Sequence, residues 1–341
     1  MEILLSVKTH LSCLKCDEWT LLVFKVAERS AAFFFTSVAY FDMRNKTFLF
    51  LLATLFCMKV LGLETILTME NDTFLKRADN DYTHGTKGEV VTDDGLHFML
   101  SQTMYAPDDL KQKHHIPHDR PYAGMLLGGV GYEFFQNPQS PWTHYGELDF
   151  GMIGPAAMCK DTQTMIHKLL GCRKPQGWDD QLHNEFVVNG QWWTKYNWYL
   201  TDWMAIVPKG GVAAGTIQDF GEVGADLKIG YNIRPTANNE IMFSAPSKSA
   251  ASKWSKLSAY VYGGASERYY LYNHMIEGTM FGHRDDDLKA DIERFVTEMR
   301  VGAVLKYDRF YATYYAVFRT DEYRHQKNAP DYAGIGIGWS W

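Results

Sequence analysis

The sequence predicts an all-β protein, a transmembrane antiparallel β-barrel, and three observations support this prediction. The 341 residues include 20 Tyr, 20 Phe, 10 Trp and 28 Gly, yet the mean hydropathy is only −0.28. The chain lacks the runs of about 20 apolar residues that a bundle of membrane helices needs, whereas barrel strands disguise their hydrophobicity by alternation. From residue 63 onward a period-2 pattern recurs between Gly- and Asp-rich turns.

Composition and charge exclude two further classes of protein. With 46% hydrophobic residues the chain is too apolar to be disordered. Its formal net charge of −6 gives no basic footprint for nucleic acid. We therefore expect no nucleic-acid partner.

We predict that the first 62 residues lie outside the folded domain. Residues 43–46 form a short basic start, residues 47–58 (TFLFLLATLFCM) an apolar core, and residues 60–62 a small or branched segment suited to cleavage. This layout is typical of a secretory signal peptide, predicted here over residues 43–62, with an N-terminal anchor helix as the alternative. Residues 1–42 are then an upstream extension or a mis-assigned start, and the barrel domain covers 63–341.

Candidate strands follow one another through the barrel domain. The final strand alternates large apolar residues with Gly or Ser and ends on Trp341, as expected when one face meets lipid and the other a packed lumen. The closing strand of a soluble barrel is the alternative. The predicted strands are 64–69, 85–92, 97–105, 125–136, 143–153, 184–188, 192–208, 212–217, 222–234, 256–272, 292–307, 310–318 and 331–341.

A helix over residues 156–170 interrupts the strands. Pro155 precedes its first turn, Lys168 lies in its last turn and Gly171 follows it, which is typical helix punctuation. Gln163 and His167 are spaced i, i+4 and share one face. They indicate either an active-site pair or an ordinary polar pair with an idle histidine.

The two cysteines of the barrel domain are predicted to be free thiols. Cys159 and Cys172 bracket the predicted helix, which would separate them by roughly 20 Å. A disulfide requires Cα atoms within about 7 Å of each other.

Oxygen-bearing side chains cluster after the first strand. Asn71 and Asp72 follow it directly, and residues 79–85 read DNDYTHG. Such groups could hold a hard cation. They are equally the residues of ordinary turns, and residue types alone favour the turns.

Six ordered strings resemble the lipid A 3-O-deacylase (LpxR-like) family of outer-membrane enzymes. They are MENDTF (69–74), DNDYTHG (79–85), DRPYAG (119–124), MIGPAA (152–157), QTMIH (163–167) and GWDDQLHNE (177–185). The match is dense over residues 64–200. The resemblance implies a barrel of about 12 strands in the outer membrane of a Gram-negative bacterium, which removes an ester-linked acyl group from the 3′ position of lipid A.

The resemblance also implies a calcium-dependent mechanism. His167 would be the general base that activates water, and Asp72 a Ca²⁺ ligand. The remaining members of the site would be Asn71, Thr83 and Gln163. We expect a membrane-embedded monomer whose partner is lipid A or lipopolysaccharide of the outer leaflet.

One position departs from the family pattern. The family has a metal-binding glutamate six residues after the histidine, and this chain has Arg173 there. A cation beside the metal should weaken its binding. We expect Glu185 to supply the replacement carboxylate, with Asp180 as the second candidate.

Two alternatives and one surface feature complete the expectations. A catalytically silent barrel, acting as a pore or a structural protein, is favoured by Arg173 and opposed by the Gln163–His167 pair. A serine-based phospholipase is disfavoured because the chain contains no G-x-S-x-G string. An interfacial aromatic girdle is expected from Trp192, Trp193, Trp198, Tyr199 and Trp203.

Overall fold

The computed structural model describes residues 64–75, 81–92, 94–134, 140–172, 174–233, 257–281, 285 and 287–340. All of these belong to one unit, residues 58–341. The other unit, residues 1–57, lies outside the described residues. The expected upstream extension (1–42) and signal peptide (43–62) therefore both lie outside them and stay predictions.

Thirteen antiparallel strands form a single sheet in the described part of the chain. Two α-helices, α1 (Cys159–Leu170) and α2 (His274–Glu277), lie in connections between strands. No helix among the described residues is long and apolar enough to cross a membrane. The strands are β1 (Glu64–Asn71), β2 (Asp81–Val91), β3 (Leu96–Ala106), β4 (Ala123–Phe134), β5 (Trp142–Ile153), β6 (Glu185–Tyr196), β7 (Trp198–Tyr199), β8 (Met204–Gly215), β9 (Gln218–Tyr231), β10 (Leu257–Asn273), β11 (Phe295–Tyr307), β12 (Phe310–Arg319) and β13 (Tyr332–Ser340).

Twelve of these strands close into a barrel. Most pair with their neighbours in the chain, β6 pairs with β8 across the short β7, and β13 pairs with β1 from Glu64↔Ser340 to Asn71↔Ala333. The two-residue β7 pairs only with β8 and extends the sheet by one short strand. Closure leaves no open edge for the other twelve. The predicted barrel of about 12 strands is confirmed.

The outer face of the barrel is apolar and the inner face is polar. Leu100, Phe186 and Val223 are more than half exposed on the outside, although each lies within a strand. Glu298 and Arg300 on β11 are buried on the inside. This alternation suits strands that meet lipid on one side and a lumen on the other.

Charged and aromatic side chains fill the lumen. Ion pairs run across neighbouring strands, with Lys209–Asp226 at 2.9 Å, Arg268–Glu222 at 2.5 Å and Arg319–Glu298 at 2.8 Å. Two clusters of buried aromatic and aliphatic residues lie beside them. The cavity found among these lumen residues has a volume of only about 70 Å³.

The two ends of the barrel differ. The chain ends of the barrel, Glu64 and Ser340, lie together at one end. Four of the five connections longer than ten residues lie at the other end, which we call the loop rim; the fifth joins β9 to β10 at the end of the chain termini. Outer-membrane barrels carry their longer loops outside the cell, so the loop rim, with most of them, faces the exterior. The loop rim comprises residues 72–80, 107–122, 154–184, 274–294 and 320–331.

Two sequence-based expectations about the aromatic region 192–208 are wrong. This stretch is not one strand, because β6 ends at Tyr196 and β8 begins at Met204. The turn between them is rich in aromatic residues, which are also common in strands, so the sequence pattern did not reveal it. Trp193 does not belong to the girdle either, because it is buried in the lumen beside Phe220, whereas Trp192 is exposed.

Candidate active site

Helix α1 lies on the outer wall of the barrel. On β3, Phe98 and Leu100 face outward and are exposed. Met104 shares their face by alternation, yet it is only 1% exposed because it packs against Cys159 and Trp178. The α1 region therefore covers the outside of β3 next to the loop rim.

A glycine and two hydrogen bonds hold the start of α1 against the wall. Gly124 on β4 is paired with Met104, and a Cβ on Gly124 would lie 2.7 Å from both Cβ and Sγ of Cys159. Gln102 donates from Nε2 to the Ala157 carbonyl at 2.7 Å. The Cys159 thiol donates to a carbonyl of β3 at 3.5 Å. Only a glycine allows the helix to approach this closely.

Backbone geometry sets the limits of α1. The predicted helix over 156–170 begins three residues late, because Pro155–Ala157 form a 3-10 turn and Met158 has φ 58°. Gly171, at φ 71°, ends the helix and donates its N–H to the His167 carbonyl. The backbone of His167 is thus fixed at a helix terminus, as in a glycine-capped helix.

One face of α1 carries the predicted catalytic pair. Cys159, Gln163 and His167 recur every four residues, and the last two are only 3% and 8% exposed. Leu169, on another face, is strongly exposed. Trp178 donates from Nε1 to Gln163 Oε1 at 2.6 Å. Gln163 and His167 therefore lie on the buried face of α1, and the hydrogen bond from Trp178 orients the Gln163 side chain.

The buried Cys159 thiol on this face is poorly suited to act as a nucleophile. Burial raises the pKa of Cys159 to about 12, so the reactive thiolate is scarce at neutral pH. Cys159 and Cys172 are both free, the first buried and the second exposed, as the sequence predicts.

The predicted calcium residues lie at the end of β1. Asn71 accepts the backbone N–H of Thr73 at 2.8 Å, which shapes the turn that follows. Asp72 is fully buried, with 0% of its surface exposed. A buried carboxylate is costly unless it is hydrogen-bonded, paired or bound to a cation.

Thr83 lies at a β-bulge. The register of β2 against β3 shifts between Tyr82 and His84, which leaves Thr83 as the extra residue. Bulges re-aim side chains and are frequent beside active sites. Thr83 is buried, and its Oγ1 has no hydrogen-bond partner among the described residues.

The strand register brings these residues toward α1. Asn71 is paired with His84, His84 with Met104, and Met104 with Gly124. Paired residues point to the same face, and neighbouring strands lie about 4.8 Å apart. Asn71 is therefore about 10 Å along the outer wall from Met104, which contacts the start of α1. The register places Asn71 on the outer wall near the start of α1, the helix that carries Gln163 and His167. Asp72 follows Asn71 directly, and Thr83 precedes its partner His84.

Glu185 lies on the other side of the wall. It is paired with Ile153, which is buried in the lumen cluster, and its neighbour Phe186 is exposed outside. Its carboxylate lies beside His274 and Asp285. The structure does not bring Glu185 to α1, so its role as replacement ligand stays a prediction.

The prediction that a carboxylate replaces the family's metal-binding glutamate also involves Asp180 and Arg173. Asp180 accepts the backbone N–H of His115 at 2.7 Å. Arg173 lies outside the described residues.

Sequence reasoning missed the residues that support the site. Trp178 and Gly124 lie in the strings GWDDQLHNE and DRPYAG, which we noted only as resemblance. Their roles depend on tertiary contacts with α1, which the sequence does not show. Within the described residues, both act on α1 itself, Trp178 through Gln163 and Gly124 through Cys159.

A buried arginine ties the loop rim together. Arg120 is fully buried, with Nη1 at 3.2 Å from Glu322 and 3.7 Å from Asp81. Its guanidinium lies 4.5 Å from the centre of the Tyr105 ring. These contacts connect the β3–β4 and β12–β13 loops to β2 beneath the candidate site.

Comparisons with known proteins identify the family and the fold of the chain. A family model described as "Outer membrane protein LpxR" matches residues 48–341. LpxR from Salmonella typhimurium superposes with a TM-score of 0.71 at 20% identity, covering 82% of this chain and 100% of that one. The β domain of the Bordetella autotransporter BrkA (TM-score 0.39, 8% identity) and the KdgM porin (0.35, 7%) each cover 82% of this chain and 99% of their own. No curated protein matches significantly.

The family match spans most of the chain and includes every residue of the candidate site. The solved Salmonella LpxR shares the fold. The chain therefore belongs to the LpxR family, whose members are lipid A-modifying enzymes of the Gram-negative outer membrane.

Proposed function

We propose that this protein is a calcium-dependent hydrolase that removes the ester-linked acyl or acyloxyacyl group from the 3′ position of lipid A. The observation that carries the proposal is the position of Gln163 and His167 on α1, against the outer wall at the loop rim. A site on the outer wall is open to lipids of the outer leaflet, whereas a lumen site would be open to water-soluble ligands. The acyl chains could remain in the membrane while the ester reaches His167.

The proposed nucleophile is water. The neutral imidazole of His167 takes a proton from water as the water oxygen attacks the ester carbonyl, and returns it to the departing sugar oxygen. The products are a fatty acid and a free sugar hydroxyl. The high pKa of Cys159 and the missing G-x-S-x-G string support water over a side-chain nucleophile.

The residues at the ends of β1 and β2 suit a hard cation. Asp72 is a buried carboxylate, Asn71 offers an amide oxygen, and Thr83 has a buried hydroxyl. Carboxylate, amide and hydroxyl oxygens are the donors that Ca²⁺ prefers. A bound Ca²⁺ would polarise the ester carbonyl and stabilise the developing negative charge. Trp178 would keep Gln163 in place beside this chemistry.

Mass spectrometry of lipid A from cells that express the protein tests the proposal. Wild type is expected to remove the 3′-acyloxyacyl mass, and His167→Ala to leave lipid A intact. His144→Ala is the matched control, because His144 is a partly buried histidine on β5, hydrogen-bonded to Thr194 at 3.0 Å, at the end of the barrel away from α1. Unmodified lipid A with a correctly inserted wild-type barrel would contradict the function.

Two further results test the roles within the site. Activity that survives His167→Ala would show that another group is the base. Activity that survives complete chelation of Ca²⁺ would contradict the metal. For the predicted replacement of the family glutamate, Glu185→Gln with unchanged activity and calcium dependence would refute it.

A further inference from the structure

A second cluster of possible metal ligands lies on the lumen side of the loop rim. It comprises Glu185, the first residue of β6, His274, the first residue of α2, and Asp285 in the β10–β11 connection. One ligand atom from each lies within 4.8 Å of those of the other two. His274 and Asp285 are almost completely buried, and Glu185 is partly buried.

His274 is oriented as a neutral metal ligand. Its Nδ1 lies 3.0 Å from the Thr216 carbonyl oxygen. A carbonyl only accepts hydrogen bonds, so Nδ1 carries the proton and Nε2 keeps its lone pair.

Within the described residues, the remaining nitrogen of His274 makes no hydrogen bond. The residue is 0% exposed, and Nε2 has no hydrogen bond among the described residues. With Nδ1 directed at Thr216, Nε2 is the atom available to the two carboxylates. An Nδ1–H bonded to a backbone carbonyl is the usual second contact of metal-binding histidines.

Asp285 is held in a comparable way. Its Oδ1 accepts from His183 Nδ1 at 2.6 Å and from the His183 backbone N–H at 3.2 Å. Gly278, at φ 74°, allows the end of α2 to approach, since a Cβ there would lie 2.8 Å from Asp285 Cβ. The carboxylate is therefore oriented before any ion binds.

We propose that Glu185, His274 and Asp285 bind a divalent transition-metal ion, with Zn²⁺ as the best match. One imidazole and two carboxylates form a mixed donor set that suits such ions, whereas Ca²⁺ and Mg²⁺ sites use oxygen ligands. Ligands about 2.1 Å from Zn²⁺ lie about 3.4 Å from one another. The ligand atoms lie within 4.8 Å of one another before an ion binds, so ion binding would draw the partly buried Glu185 side chain closer.

This metal site is distinct from the proposed calcium chemistry. Glu185 points to the lumen, whereas α1 lies on the outer wall. Glu185 is the first residue of β6, whereas His274 and Asp285 both belong to the β10–β11 connection, so the ion would join that connection of the loop rim to the start of β6. Its role is to stabilise the loop rim, as structural zinc sites do.

The test uses the full protein, extracted from outer membranes in detergent, without a histidine tag and stripped with a chelator. Zn²⁺ and Co²⁺ alone are titrated and followed by calorimetry, bound-metal analysis and Co²⁺ absorbance. Wild type is expected to bind one ion at this site and to melt at a higher temperature with Zn²⁺. His274→Gln, Glu185→Gln and Asp285→Asn are each expected to weaken binding at least tenfold.

Two controls separate this site from others. His144→Gln removes a histidine from β5 and should bind Zn²⁺ as wild type does. His167→Ala removes the histidine of the α1 face and should also keep the ion. Loss of the ion in His167→Ala but not in His274→Gln would overturn the proposal.

Folding of each variant is checked by its heat-modifiable migration on gels. If His274→Gln does not fold, Glu185→Gln and Asp285→Asn decide the result, because both keep side-chain size and hydrogen bonding. A wild-type protein that binds no Zn²⁺ at micromolar concentrations would refute the site. Equal affinity in wild type and the folded ligand variants would refute it as well.

Discussion

Gly124→Ala is expected to slow deacylation 10- to 100-fold without unfolding the barrel. Gly124 lies on the outer face of β4 under the start of α1, where an added Cβ would lie 2.7 Å from Cys159 Cβ and Sγ. A side-chain rotation moves Sγ but cannot move Cβ. The helix itself must therefore shift.

The magnitude follows from this distance. Carbon atoms in contact normally lie about 3.5–4.0 Å apart, so the start of α1 must move by about 1 Å. Overpacking of this kind costs about 1–3 kcal/mol. A displacement of about 1 Å at a catalytic group can reduce the rate about 100-fold. Because Gln163 and His167 move with α1, we expect deacylation to fall 10- to 100-fold.

Lipid A deacylation by purified protein in mixed micelles, followed by mass spectrometry, measures the effect. Gly128→Ala is the matched control, since Gly128 lies on the same strand and an added Cβ there would meet only an ordinary contact, 3.6 Å from the Phe150 ring. The gel shift on heating should be nearly the same in wild type and in both variants.

A compensating change makes the reasoning refutable. Cys159→Gly removes both atoms that a Cβ on residue 124 would meet, so the double variant Gly124→Ala with Cys159→Gly should regain most of the activity. Wild-type activity in Gly124→Ala would refute the close approach of α1. An equal loss in Gly128→Ala would show that glycine on β4 matters for another reason.

Three further predictions follow from the lumen, the loop rim and the cysteines. Because ion pairs and aromatic rings fill the lumen, the protein in a planar bilayer should show no steady conductance; open-pore currents would favour the silent-barrel alternative. Arg120→Ala leaves the buried carboxylate of Asp81 without its cation and Glu322 with Arg319 alone, at 3.4 Å, so the free energy of unfolding should fall by about 3–5 kcal/mol; an unchanged urea midpoint would contradict this. Maleimide labelling at pH 8, mapped by peptide, should modify exposed Cys172 and spare Cys159, whose pKa is raised to about 12 by burial; similar labelling of both would be inconsistent with the buried thiol.

Much of the fold could be predicted because alternation reports directly on a two-sided strand. The interval from residue 143 to 153 matches β5 within one residue. Prediction failed where alternation carries no information, as at the turn between β6 and β8. Two adjacent tryptophans, 192 and 193, cannot by themselves show which one faces the lumen, because a one-residue slip exchanges the faces.

The candidate site could also be predicted only in part. Gln163 and His167 could be placed on one helix face from their spacing and the flanking Pro155 and Gly171. The hydrogen bond from Trp178 to Gln163 could not be predicted, because Trp178 lies in a separate turn of the connection. The prediction for Glu185 relied on closeness along the chain, and the alternation of β6 turns that residue inward.

The class of the fold, the helix that interrupts it and the residue types of the candidate site could be predicted from the sequence, because periodicity, helix punctuation and residue identity are local properties. The side of the barrel wall on which each group lies follows only from the closed sheet. Closure of β6 with β8 and of β13 with β1 fixes the register, and the register sends Asn71 and Met104 outward and Glu185 inward. Whether a residue faces the lumen or the outside depends on the closed barrel, so the sequence of a single strand does not encode it.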